Sequence, residues 1–268
     1  MSKSLEIEKV ANLTPLQEGM LFHTVMEPES QAYYEQVRMT IRGELNLEAL
    51  QKSFQTLVQR HETLRSNMYH KSASRSRLIV FKERNVTLHY ENLTDIPEAK
   101  QAEAIRSYTD ADRNHRYDLS KDLLIRLAVL QIQTNAYTLL LSFHHIIMDG
   151  WCLGIVMDEL FAAYEALKAG KPVELPTPQP YTGYARWLDN TVSRTFGAYT
   201  RSDCTYTRNP AAGHSSVDRY RRGRTHPCME RTDCRLSCRN VSWNIRSAGR
   251  TYPGTGGCHL RGYRTDLS

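Results

Sequence analysis

Leu139 to Trp151 reads LLLSFHHIIMDGW, and the rest of the chain is best understood outward from these residues. An apolar run, Tyr137 to His144, suits a buried strand and delivers His144 and His145 side by side. Asp149 and Gly150 follow, and then a helical pattern begins. Side chains alternate across a strand, so one histidine faces a cavity while its neighbour faces the packed side. Imidazole is the side chain best suited to moving a proton near neutral pH. Asp149 stands where a helix N-cap or an arginine partner is wanted. Gly150 admits a close backbone approach to a ligand, or a turn that a Cβ would forbid. A satisfied structural pair at a strand end has the same pattern, so the local residues leave both readings open. A metal site is disfavoured, because adjacent histidines face apart and no His-x-x-x-His or Cys-x-x-Cys accompanies them.

The flanking sequence supplies an α/β frame. Leu123 to Ile132 is a second strand, joined to the first by Gln133, Thr134, Asn135 and Ala136, so the two pair as an antiparallel hairpin. Trp151 to Lys168 carries Leu153, Val156, Leu160, Tyr164 and Leu167 on one side of a helix that Gly170 and Pro172 end. Pro176, Pro178 and Pro180 form an extended linker, and another helix begins around Tyr184. Upstream, Thr14 and Pro15 start a helix with Leu16, Met20 and Leu21 at helical spacing. Asn46 caps a helix whose apolar stripe is Leu47, Leu50, Phe54, Leu57 and Val58. Strands are expected over 64–69, 77–82 and 86–90, and a polar helix over 97–112.

Composition divides the chain near residue 190. Residues 1–190 hold 21 basic and 24 acidic residues, a net of −3, whereas 191–268 hold 14 basic, all arginine, and 5 acidic, a net of +9. Only 8 of those last 78 residues are Leu, Ile, Val or Phe, too few for an ordinary core. The basic average therefore describes the tail and says little about the partners of the body. No apolar run is long enough to cross a membrane. The opening MSKSLEIEKVANLTPLQEG lacks the apolar core of an export signal, so a cytoplasmic location is expected.

HHIIMDG, His144 to Gly150, has the His-His-x-x-x-Asp-Gly form of the condensation domains of nonribosomal peptide synthetases. LTPLQEGMLFH, Leu13 to His23, resembles the opening motif of those domains, and RHETLRSNM, Arg60 to Met68, resembles the second. The three occur in the family's order, and QPYTGYARWLDN, Gln179 to Asn190, resembles the segment that follows. The resemblance covers about residues 10–190. It implies the N-terminal lobe of the chloramphenicol-acetyltransferase-like fold, a mixed sheet flanked by helices. The expected organisation is a leader over 1–12 that could dock an upstream synthetase subunit, the lobe over 13–190, and a non-globular tail over 191–268.

The family joins two carrier-bound thioesters into an amide in a tunnel between two lobes. By resemblance, His145 is the catalytic histidine, which takes a proton from the attacking amine or orients it, and Gly150 places backbone near the reacting centre. His144, Asp149 and Arg65 are support, with Asp149 held in an ion pair by Arg65. Trp151 packs under the loop. Gln17, Glu18 and Gly19 lie near the tunnel, Met20, Leu21 and Phe22 are core residues, and Arg60, His61 and Glu62 make local hydrogen bonds. No cofactor or metal is bound directly, since the phosphopantetheine arms belong to partner carrier domains. The opening also resembles the subtype that accepts a D-configured donor. A complete domain has a second lobe, absent here, so the chain alone is expected to be inactive. The alternative is a non-catalytic docking or remnant half-domain.

The tail's loss of lysine and of periodicity reads as out-of-frame translation beginning near residues 190–196. Two rivals are a zinc module using Cys228, Cys234, Cys238, Cys258 and His259, whose spacing fits no common knuckle, and a nucleic-acid-binding stretch built on Arg219, Tyr220, Arg221, Arg222 and Arg224. Both are disfavoured.

Overall fold

The computed structural model describes residues 5–70, 75–202 and 245–247. Fourteen elements follow one another: β1 (Ile7–Asn12), α1 (Pro15–Met26), β2 (Tyr34–Arg42), α2 (Leu47–Arg60), a 3-10 turn (Glu62–Arg65), β3 (Ser66–Tyr69), β4 (Arg77–Phe81), β5 (His89–Asn92), α3 (Glu98–Asn114), β6 (Ile125–Gln133), β7 (Ala136–His144), α4 (Gly150–Lys168), α5 (Tyr181–Ser202) and β8 (Ile245–Ser247). They build a five-stranded sheet in the order β5-β6-β7-β2-β8 and a three-stranded sheet in the order β1-β4-β3. β5 runs parallel to β6, with α3 as the crossover, and the other pairings are antiparallel.

β7 is buried at all nine positions because both faces of the large sheet are covered. Leu139, Leu141 and Phe143 enter the main core with Phe54, Leu57 and Leu160 of α2 and α4. Leu140 faces the other way, into a smaller core with Leu93, Ala128 and Leu130 beneath Ala104, Ile105 and Tyr108 of α3. The alternation that sorts these leucines also sorts the two histidines at the strand's end.

The capping residues act as their types require. Thr14 and Gln17 form a reciprocal capping box on α1. Asn46 caps α2 through the Ala49 amide, and Gly170, with φ 66°, closes the turn after α4. The expected leader contains strand β1 from Ile7, paired with β4. Two local expectations are corrected. Arg65 lies in a 3-10 turn, so the strand expected from Leu64 begins at Ser66. The strand expected from Val86 begins at His89, because Gln55 and Gln51 of α2 take the Val86 and Leu88 amides at 2.9 and 2.8 Å.

α5 continues through the composition break at 190. β8 pairs antiparallel with β2. The tail arginines from Arg219 to Arg224 and the candidate zinc ligands Cys228, Cys234, Cys238, Cys258 and His259 lie outside the described residues.

Candidate active site

β7 ends at His144, and the chain turns through His145 to Met148 before α4 starts. His144 is buried against Tyr33 and Tyr117. Its Nδ1 accepts the Ile146 amide at 3.1 Å, so the neutral ring carries its proton on Nε2. Burial, reinforced by the neighbouring His145, pushes its pKa down to about 4. His144 is therefore an uncharged brace for the loop.

His145 faces the other way. Its amide donates to the Tyr33 carbonyl at 2.8 Å, and its side chain lines a cleft of about 360 Å³ between α1, the 3-10 turn, α4 and the start of α5. The Nδ1 of its ring is buried and has no hydrogen-bond partner among the described residues. Gln17, Glu62, Asp149, Cys152 and Tyr181 share the cleft wall. The cleft's rim is apolar and open: Leu16 is 70% exposed, and Ile155 and Tyr184 are exposed as well.

Asp149 caps α4, accepting the Cys152 amide at 3.0 Å. Burial, the largest influence, works to raise its carboxyl, and the hydrogen bonds from Cys152 and Trp151 together with the nearby His145 hold the group below its ordinary range. The expected Arg65–Asp149 pair does not form. Arg65 turns toward the small sheet, where it pairs with Glu8 at 2.5 Å, donates to the Gln59 carbonyl at 3.1 Å and also meets the Phe81 carbonyl. β1 explains the difference, since it brings Glu8 to Arg65 and leaves Asp149 to the helix. Trp151 is corrected too: it is 88% exposed instead of packed under the loop. Phe22 is likewise exposed, while Met20 and Leu21 are buried as expected.

A Cβ on Gly150 would meet nothing within 4 Å, and its backbone is outside the left-handed region. Among the described residues neither space nor backbone conformation requires glycine at this position. The second motif ties elements together. Glu159 of α4 accepts from Arg60 at 3.1 Å and bonds His61 at 2.7 Å. Glu62 accepts from Lys9 of β1 at 2.7 Å and from the Thr182 amide of α5 at 2.8 Å. Sequence reasoning placed Gln17 near the site and missed its contact: the side-chain amide donates to the Ile146 carbonyl at 3.1 Å. Among the described residues no cluster of three His, Cys, Asp or Glu could hold a metal, and no helix is long and apolar enough to cross a membrane.

The lobe is a mixed α/β fold whose central hairpin ends in the His-His turn and opens on a cleft. The Condensation domain family model matches residues 7–196, and the chain belongs to that family, the condensation domains of nonribosomal peptide synthetases. It is 43% identical to tyrocidine synthase 3 of Brevibacillus parabrevis over 189 residues, which are 70% of this chain and 3% of that protein. It is 35% identical to gramicidin S synthase 2 of Brevibacillus brevis over 187 residues, 70% of this chain and 4% of that one. Among solved structures, the starter condensation domain of rhizomide synthetase matches with a TM-score of 0.63 at 18% identity, over 74% of this chain and 49% of that one. The first condensation domain of the calcium-dependent antibiotic synthetase, in complex with substrate analogue 3a, matches with a TM-score of 0.63 at 19% identity, over 78% and 52%. The fold class expected from the sequence is borne out. The chain thus spans about half of the solved condensation domains and a few per cent of the synthetases.

Proposed function

We propose that this chain supplies the His-bearing half of a peptide-bond-forming centre. The observation that carries the proposal is His145, fixed by its backbone on a cleft wall with a ring nitrogen that has no partner among the described residues. The acceptor's amine nitrogen attacks the donor thioester carbon, a C–N bond forms, the C–S bond breaks, and the thiolate leaves with its carrier arm. His145 takes the proton released by the amine, or holds that amine in line for attack. His144 and Asp149 shape the loop, and Gly150 leaves room for the substrates. The substrates arrive on phosphopantetheine arms of peptidyl or acyl carrier domains, which are the partners, and the protein acts in the cytoplasm.

The chain alone is expected to make no amide; supporting this, the cleft formed by the described residues is open along Leu16, Ile155 and Tyr184, where a second lobe would close it. Such closure supplies the exclusion of water and the alignment on which the step depends. The test joins residues 1–196 to the second lobe of the tyrocidine synthase 3 condensation domain and supplies loaded carrier proteins. Dipeptide is expected from the hybrid and not from the 268-residue chain. Product from the chain by itself would contradict the need for a second lobe. None from a folded hybrid would favour the remnant half-domain.

A further inference from the structure

We propose that Gln17 is a positioning residue that holds the His145 turn through its side-chain amide, a role separate from capping α1. Gln17 is 3% exposed, and both ends of its amide are used. Oε1 accepts the Thr14 backbone N–H at 3.1 Å, which completes the capping box. Nε2 donates to the Ile146 carbonyl at 3.1 Å, a contact that bridges 129 residues of sequence.

The residue after His145 is thereby held at both backbone groups. Its N–H goes to His144 Nδ1 at 3.1 Å and its carbonyl to Gln17, while the N–H of His145 goes to the Tyr33 carbonyl at 2.8 Å. The end of β7, the turn before β2 and α1 thus fix the peptides flanking His145. A side chain that must place a proton acceptor within a few tenths of an ångström needs such a frame. Capping asks only for an acceptor, so a glutamate at this position would serve it equally. Holding the Ile146 carbonyl asks for a donor, and among Gln and Glu only Gln has one.

The inference gives Gln17 meaning through the catalytic reading of His145, but its test reads no amide synthesis, so the two can fail separately. Hydrogen exchange is followed by NMR in the full chain and in Gln17→Glu and Thr14→Ala. In Q17E the Ile146 amide should exchange at least about tenfold faster than in the parent, and the His145 ring signals should move, while α2 amides keep their rates. T14A removes the hydroxyl arm of the cap and should leave the Ile146 rate unchanged. A folded Q17E with parental exchange and ring signals would overturn the proposal. So would a T14A chain that accelerates Ile146 as much as Q17E does. If Q17E does not fold, the parent decides: the Gln17 side-chain amide protons should be protected from exchange, and free-amide rates would overturn it.

Discussion

His144 and His145 are adjacent in sequence and opposite in situation. His144 is buried and neutral, accepting an amide, and its pKa is lowered to about 4. In the unfolded chain it returns to about 6.5. The unfolded state therefore binds the extra proton first. Stability from this residue is complete above pH 6.5 and is lost as pH falls toward 4, by on the order of 3 kcal/mol. Replacing His144 with Gln should flatten that slope in urea titrations between pH 6.5 and 4; an unchanged slope would show that His144 is not buried neutral. At Asp149 the capping role predicts that Asp149→Ala costs about 1 kcal/mol and that Asp149→Ser restores most of it. A double-mutant cycle of Asp149→Ala with Arg65→Met should be additive within about 0.5 kcal/mol. A larger coupling would restore the ion pair that the resemblance suggested. The roles of these residues split along what sequence can express. Strand alternation says that the two histidines face opposite ways, because alternation is local; which of them turns outward came only from the resemblance. It could not place Arg65, whose partner Glu8 lies 57 residues away on a strand the sequence did not announce.

The elements are held together by a few buried polar junctions. Asp112 near the end of α3 receives Arg126 of β6 at 2.8 Å, Gln36 of β2 at 3.1 Å, and the hydroxyls of Tyr34 and Ser142. Burial would raise its carboxyl, and the hydrogen bonds from Ser142 and Tyr34 with the charge of Arg126 hold it low. Asp112→Ala would strand these donors under α3 and should cost about 3 kcal/mol, read from the urea midpoint. A loss under about 1 kcal/mol would mean that α3 is held by its apolar face alone. Helices were legible from caps and stripes: α2 and α4 fall within a residue of their expected limits. β2 was missed, although Val37, Met39 and Ile41 alternate into the core, because Glu35, Arg38 and Arg42 between and beside them make the nine-residue stretch read as polar. β1 was missed for a related reason. Its residues are largely exposed, and pairing with β4, not burial, makes it a strand.

At the scale of the molecule, the exposed apolar side chains concentrate around the cleft and along α1 and α5: Leu16, Phe22, Met26, Trp151, Ile155 and Trp187. Water-facing surface of this kind promotes self-association. Changing Trp151 and Ile155 together to Ser and Gln should raise solubility while lowering the melting temperature by no more than about 3 °C. A large fall would show that these residues stabilise the lobe itself. For the tail, translation of the gene in the other frames beyond codon 190 should restore leucine-rich sequence with a second lobe, if the arginine-rich segment is out of frame. Failure of every frame to do so would leave the extension genuine. The central claim is that His145 acts on the reacting amine. Its most direct measurement is single-turnover amide formation by the two-lobe hybrid with loaded carriers, compared with its His145→Ala variant. A loss of about 100-fold or more is predicted for a folded variant. A rate equal to that of the parent would contradict a catalytic or orienting role for His145.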